Sequence, residues 1–552
     1  MKNKYIFFRI AIFMISIAGL SLSSCTNKKT NVEPVYLSVE LSRSELQNGT
    51  YYPVDCNERS IELEFSQPID TSTIPGNISF ADKDGPLDSK YKALYFDRKI
   101  ILEFLPWFQM KQGWKYFISI STGLRSTTSV TFPSTAVVDI RTSAPGLLMG
   151  NDTIQRNAIV CISDIHMGEA RAAAGHYCWF SENATALENM LDSVLASKSV
   201  RQLVILGDLF DEWVIPYRMM AFDTTSGIHN SSDYFHFVAN SPVNSPVISR
   251  LKTIAASGTI QLLYVPGNHD MLLTQQILED IIPGVAWQGN IPGLGNYSPV
   301  DEIIMEHGHR FDFFNCPQPL VNPGHILPPG YFISRLQAEG LWESGGRKAS
   351  NIKSANGSVE FLIAWISTIA YLQAHYSITL NPDSSNIGMS GIDGYQGTLS
   401  YSGVQNMYTP SIETVWDATQ SQNGVPVHIS VIAGLLDGGT DLYPVTSYEY
   451  LSASSPKHYS LAVLGHTHEP ELLVYPAGQK YHGIYANSGS WVNASLCSHP
   501  VRTFLVIWPG QWTGSDLDVV CLYQYNLKSG SGNPNPGYVP VLLDEESIER
   551  AK

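Results

Sequence analysis

The stretch AIVCISDIH, residues 158–166, is an apolar run that ends within a few residues in an Asp-x-His pair, Asp164 and His166. The same design recurs down the chain. Leu203 to Leu206 runs into Gly207-Asp208-Leu209-Phe210-Asp211, and Leu262 to Val265 is followed by Gly267-Asn268-His269-Asp270. Ile303-Ile304-Met305 leads to His307-Gly308-His309, and Leu461 to Leu464 leads to Gly465-His466-Thr467-His468. Short apolar runs of this length predict buried strands. Between the first two, Leu187, Met190, Leu191, Val194 and Leu195 recur at three- and four-residue spacing, which predicts an amphipathic helix. Strands alternating with helices predict an α/β domain, in which ligands gather at the carboxyl ends of the strands. The polar motifs fall at those ends.

A single Asp-x-His or His-x-His is weak evidence, because structural histidines are common. Five strand ends that all deliver metal-capable side chains are a different matter. Imidazole, carboxylate and amide oxygen suit borderline divalent ions such as Mn, Fe or Zn, and the lack of thiolate argues against a structural zinc. Two ions a few ångströms apart need a ligand that touches both, and the carboxylate of Asp208 is the natural choice. If the strands continue through the motifs, alternate residues point to one side of the pleat, so each D-x-H and H-x-H pair would converge.

Together, D-x-H, G-D-x-x-D, G-N-H-D, the lone H and G-H-x-H resemble the signature of the calcineurin-like metallophosphoesterase superfamily. The resemblance runs from about Asn157 to Cys497. It implies a four-layer αββα sandwich with two divalent metal ions at its apex. Asp164, His166, Asp208 and His468 would hold one ion, and Asp208, Asn268, His307 and His466 the other. His269 would contact the phosphate and help the leaving group depart, Asp270 would orient His269, and Asp211 would steer His166. A hydroxide bridging the ions would attack phosphorus. His309 shares a loop with His307 and stands as a rival ligand; the family pattern, which places the ligand directly before glycine, favours His307 and leaves His309 to substrate binding or support.

The GDLFDEW stretch at 207–213, the HGHRFD stretch at 307–312 and GHTHEP at 465–470 resemble the branch of UDP-2,3-diacylglucosamine hydrolases. That branch usually carries Arg where His269 stands and acts on a cytoplasmic nucleotide lipid. Purple acid phosphatases carry a Tyr ligand where Asp211 stands, so that branch fits less well. The span from about 311 to 458 is a long insertion. Its apolar segment Val359 to Leu372 reads as a helix on the domain flank, as a cap with Trp342 and Trp365 lining a leaving-group pocket, or as a lipid-facing surface helix.

Outward from this domain, residues 33–146 alternate with the two-residue period of half-buried strands, as in Ser60-Ile61-Glu62-Leu63-Glu64-Phe65. This predicts a β-sandwich, and its pattern resembles bacterial Ig-like modules, with glycan or protein contacts as the role implied. Residues 1–25 read as a lipoprotein signal peptide: Lys2, Lys4 and Arg9 precede the apolar stretch Ile10 to Leu20, and Leu22-Ser23-Ser24-Cys25 resembles a lipobox. Cys25 would carry the lipid, or the segment would stay as an uncleaved anchor. Residues 26–32 would be a tether, and 506–552 a final strand and an extended tail. Cys161, inside an apolar run, reads as a buried free thiol.

Acidic residues outnumber basic ones by 50 to 34, and the net charge of −16 disfavours a nucleic-acid partner. The reading is an exported, membrane-anchored phosphoesterase at the periplasmic face or cell surface, acting on a phosphomonoester or phosphodiester. Its rivals are a pyrophosphohydrolase acting on a lipid- or sugar-linked phosphate and a non-catalytic surface binding protein.

Overall fold

The computed structural model describes residues 39–142, 156–343, 370, 386–425, 441–527 and 538–550, apart from breaks at 42–43, 46–50, 55–57, 83–84, 107, 109, 112–113, 133, 170, 172–179, 409–410, 456, 477–482 and 495–496. The signal peptide, Cys25, the tether and, apart from residue 370, Val359 to Leu372 with Trp365 lie outside the described residues. No described helix is long and apolar enough to cross a membrane.

Residues 39–142 form two five-stranded sheets. The strand Ser60–Phe65 shows the predicted alternation, with Ile61, Leu63 and Phe65 buried. These residues meet Phe80, Tyr116, Ile118 and Ile140 of the other sheet in one apolar core.

The second unit is built on two larger sheets. Strands β1 (Ala158–Ile162), β2 (Val200–Leu206) and β3 (Gln261–Val265) run parallel. In a second sheet β4 (Ile303–Glu306), β5 (Leu461–Leu464) and β6 (Gly483–Asn487) also run parallel. The first sheet is completed on the far side of β1 by β7 (Thr503–Trp508), β8 (Leu517–Leu527) and β9 (Tyr538–Glu549), all antiparallel to their neighbours. Within 506–552, where a final strand and an extended tail were expected, the described residues include two long paired strands: β9 pairs along β8 from end to end. Pro540 and the acids of its DEESIE stretch mask the strand signal, but an edge strand tolerates both.

Parallel strands covered on both faces should be apolar throughout, and β1, β4, β5 and β6 are buried at every position. Ile159, Cys161, Val204 and Leu263 face Ile303, Met305, Val463 and Ala486 across the inter-sheet core. Val160, Ile162, Leu203 and Ile205 point the other way, onto helix α1 (Ala184–Ala196) through Leu187, Met190, Leu191 and Val194. The outer face of the second sheet packs Ile304, Ala462 and Tyr485 against Tyr450 and Leu451 of the short helical stretch 443–451. The layers run helix, sheet, sheet, helix. Cys161 is a buried free thiol, and burial pushes it far above its ordinary range.

The described parts of 311–458 divide between the two outer layers, with 443–451 on the second sheet and the helices between 329 and 422 on the side of the first. Tyr331, Phe332 and Leu336 of α2 (Pro329–Glu343), Val404 and Tyr408 of α3 (Tyr401–Tyr408), and Trp416 of α4 (Ser411–Gln422) share a core with Trp213, Ile215 and Phe222. Trp342, near the end of α2, is partly exposed. Between the two units, the buried Arg141 donates to the backbone carbonyl and the hydroxyl of Ser547 on β9, and Lys115 pairs with Glu549.

Candidate metal centre

β1, β2, β4 and β5 end at one side of the paired sheets, and their loops meet there. The convergence does not come from the pleat, as the sequence suggested. Asp164 and His166 lie beyond β1, and both have left-handed backbone, with φ of 53° and 55°. Asp208 (53°), His466 (71°) and His468 (59°) share that region. Left-handed backbone is uncommon for residues with a Cβ and costs of order 1–3 kcal/mol at a strained position, so five cases at one locus mark a functional site. The turns are also tight. Gly207 has φ +78°, and a Cβ on Gly267 would fall 2.1 Å from Asp208 Oδ1.

Atoms of three overlapping groups lie within 4.8 Å of one another and could hold metal ions: Asp164, His166 and His468; His166, Asp208 and His269; Asp164, Asp208 and His307. Asp208 Oδ2 lies 3.6 Å from His166 Nε2 and 3.3 Å from His307 Nε2. His468 Nε2 is 3.2 Å from Asp164 Oδ1 and 3.1 Å from His166 Nε2. Asn268 Oδ1 sits between His307 Nε2 at 2.9 Å and His466 Nδ1 at 3.1 Å. All seven sequence-predicted ligands are thus brought together.

The far nitrogens of the imidazoles decide whether this set fits cations. His307 Nδ1 lies 2.7 Å from the carbonyl of Leu206, which makes it the donor and leaves Nε2 aimed inward, where a cation would replace its proton. His166 Nδ1 lies 3.1 Å from Asp211 Oδ2, and His466 Nε2 3.0 Å from Asp312 Oδ2. Inward lone pairs braced from behind by carboxylate or carbonyl are the arrangement metal-binding histidines use. Asp164 Oδ1 is buried without a well-formed hydrogen bond. The donor set fits divalent cations.

Electrostatics agree. Burial works to raise Asp164, but His307 and His468 outweigh it and hold the carboxyl at about 2. Burial opposes ionisation of Asp208 too, and His307 overcomes it, so that Asp208 stays well below the usual range. Burial disfavours charge on His307, yet Asp208 and Asp164 raise it to about 10. The carboxylates demand positive charge at the centre of the cluster.

Two role assignments change. Asp270 does not orient His269; its carboxylate turns back to accept the backbone N–H groups of Leu209 (2.9 Å), Phe210 (3.2 Å) and Gly267 (3.2 Å), bracing the two loops together. Burial, then Asp208, pushes it up to about 7. Asp211 serves both histidines instead, with Oδ1 3.2 Å from His269 Nδ1 and Oδ2 on His166. His309 is anchored by Nε2 to the carbonyl of Gly293 at 2.8 Å, with its ring 5.2 Å from that of His307. Sequence reasoning missed Asp312, although the HGHRFD stretch contains it.

The calcineurin-like phosphoesterase family model matches residues 158–375. The chain carries a calcineurin-like phosphoesterase domain. That domain, residues 158–375, is one of metal-dependent phosphoester hydrolysis. The match stops short of Gly465 to His468, yet the fold sets that loop against Asp164, whose Oδ2 accepts the N–H of His466 at 3.0 Å. No curated protein matches the chain in sequence. Among solved structures, the purple acid phosphatase from yellow lupin (Lupinus luteus) seeds aligns at 10% identity over 90% of this chain and 73% of that one, with a TM-score of 0.25. CopC from Methylosinus trichosporium OB3b aligns at 14% identity over 20% of this chain and 94% of that one, at 0.15. An Escherichia coli alpha-2-macroglobulin fragment aligns at 17% over 24% and 36%, also at 0.15. At such scores none of these likenesses carries an argument.

Proposed function

We propose that the phosphoesterase domain hydrolyses a phosphomonoester or phosphodiester at two divalent ions, one held by Asp164, His166, Asp208 and His468 and the other by Asp208, Asn268, His307 and His466. The observation that carries this reading is the placement of Asp208 Oδ2 between His166 and His307, where one carboxylate can serve both ions. The ions would supply Lewis-acid activation of water and of the phosphoryl oxygens. His269 borders the cluster, with its Nδ1 3.2 Å from Asp211 Oδ1, and would turn Nε2 towards substrate. In that position it donates a proton to the ester oxygen as the P–O bond breaks, while the oxygen of water bonds to phosphorus. Solvent takes the proton water loses and restores the one His269 gives.

The remaining parts of the reading rest on sequence. Lys2 to Cys25 supports export and a lipid anchor on Cys25, and the two-sheet unit supports an Ig-like spacer that contacts glycan or protein. Metal analysis, with hydrolysis of p-nitrophenyl phosphate and bis-p-nitrophenyl phosphate after Mn supplementation, tests the catalytic reading. About two ions per chain and turnover of either ester are expected. A metal-free, inactive protein would sink it.

A further inference from the structure

At one end of the two-sheet unit a hairpin carries apolar side chains past the core. Its strands are Tyr91–Phe96, at the edge of its sheet, and Lys99–Phe104; Asp97 and Arg98 join them, with Phe96 opposite Lys99. Tyr91 and Ala93 pack against the core of that unit. Tyr95 shares their face of the strand but is 45% exposed, so the core ends before the strand does. On the other face Leu94 is 37% and Phe96 59% exposed. Three adjacent apolar side chains exposed on an edge strand beside a turn form a patch of the kind that marks an interaction site.

Two sets of contacts fix which end this is. The N–H of Phe65 donates to the carbonyl of Arg98 at 2.8 Å, and Phe65 pairs with Val39. The strand Val39–Leu41 therefore begins beside the hairpin. Cys25, read from the sequence as the lipid-bearing residue, precedes Val39 by 14 positions, a reach of about 50 Å at most. At the other end, Lys115 pairs with Glu549 and Arg141 with Ser547, so the catalytic unit is held there. The strand Lys115–Ile120 runs between the two ends. Lys115 lies at the catalytic end, and Ile120 leads to Arg125, whose carbonyl accepts the N–H of Asp70 at 2.9 Å. Asp70 adjoins Ile69, which donates to the carbonyl of Asp97 at the hairpin turn.

The charged groups at the hairpin end offset one another. Arg98 and Arg125 stand with Asp97 and Asp70, and Lys99 pairs with Glu62 and Glu64. Attraction to a strongly charged partner is therefore not what the patch offers. Tyr and Phe suit the boundary between lipid headgroups and acyl chains, where an aromatic ring buries its body and keeps its polar edge wet. We propose that the hairpin tip Leu94-Tyr95-Phe96 rests in the surface of the bilayer to which Cys25 is anchored, as a second foothold beside the lipid. One acyl attachment and one apolar contact together hold more firmly than either alone. This rests on the reading of Cys25 as the lipid-bearing residue.

Removing residues 1–25 takes away none of the described structure. That lipid-free chain is sedimented with phosphatidylcholine vesicles beside two variants, Phe96→Ser and Leu542→Ser. Leu542 is an exposed apolar residue of β9 and serves as the comparison. Leu542→Ser should bind within about twofold of wild type and Phe96→Ser about tenfold more weakly, with all three melting alike. Adding anionic phosphatidylglycerol should change binding by less than about twofold. A wild type that stays in solution, equal losses in both variants, or binding that requires anionic lipid would overturn the proposal. So would self-association that Phe96→Ser abolishes without any vesicle binding, which would assign the patch to a second copy of the chain. A second measurement keeps the lipid: on vesicles of brominated phosphatidylcholine, the emission added to the lipidated protein by Phe96→Trp should be quenched, and that added by Leu542→Trp should not. Unquenched emission from Phe96→Trp would overturn it too. The mass of the exported protein reports separately on the anchor. A Cys25 without lipid, beside vesicle binding that depends on Phe96, would sink the anchor reading and leave the hairpin as the attachment.

Discussion

Asp312 places Oδ2 3.0 Å from Nε2 of His466, on the side of the imidazole facing away from the cluster. The carboxylate is itself fixed by the N–H of Phe314 at 2.8 Å and by the amide of Asn315. It therefore sets both the ring orientation and the tautomer of His466, leaving Nδ1 for a cation. Outer partners of this kind are worth roughly 10- to 100-fold in metal affinity. Asp312→Asn should weaken metal binding by about that factor in a chelator-competition titration, with activity returning at saturating metal.

Asp208 and His269 should separate cleanly. Asp208→Asn removes the carboxylate that both ions would share, and both bound metal and turnover should be lost. His269→Ala should keep its metal and lose about 10²- to 10⁴-fold in kcat, the range for a general acid. Metal analysis beside kcat on one preparation of each variant checks the pair. Retained phosphodiesterase activity in His269→Ala would remove the histidine from the mechanism.

Gly267 stands where the second and third loops touch. A Cβ there would fall 2.1 Å from Asp208 Oδ1 and 2.3 Å from the Asp208 nitrogen. Since the nitrogen is backbone, no side-chain rotation relieves the clash. Gly267→Ala should cost about 1–3 kcal/mol and displace Asp208, so thermal stability and metal content should fall together. A variant that melts like the wild type with full metal would contradict this packing.

Asp518, buried on β8, accepts from the Gly510 N–H at 2.8 Å and from Ser460 at 3.2 Å. Burial nonetheless raises its carboxyl to about 6. A carboxyl whose folded value exceeds its unfolded value favours folding when protonated. That contribution is complete below about pH 4 and is lost as the pH rises towards 6. Asp518→Asn can keep both contacts without the charge. Its melting temperature relative to wild type should rise between about pH 4 and 7, by the equivalent of about 1–2 kcal/mol. A difference that does not vary with pH would refute the argument.

The metal cluster was legible in the sequence because each strand end places its polar residues next to an apolar run. The five strand ends and all seven candidate ligands, Asp164 to His468, could be found that way. How they converge was not legible: period two holds only while a strand lasts, and the left-handed turns at Asp164, His166 and Asp208 begin where β1 and β2 stop. Asp270 misled because it neighbours His269 in sequence, whereas the turn at 208–211 brings Asp211 to that ring in space. Asp312 is far from His466 in sequence, and no spacing rule joins them. The strand β9 was hidden by its proline and acids, which an edge position permits.

The contact of Arg141 and Lys115 with Ser547 and Glu549 has a mechanical consequence. Because Arg141 and Lys115 of the two-sheet unit hold the last strand of the first sheet, a pull on that unit is passed to the sheet whose loops carry Asp164 and Asp208.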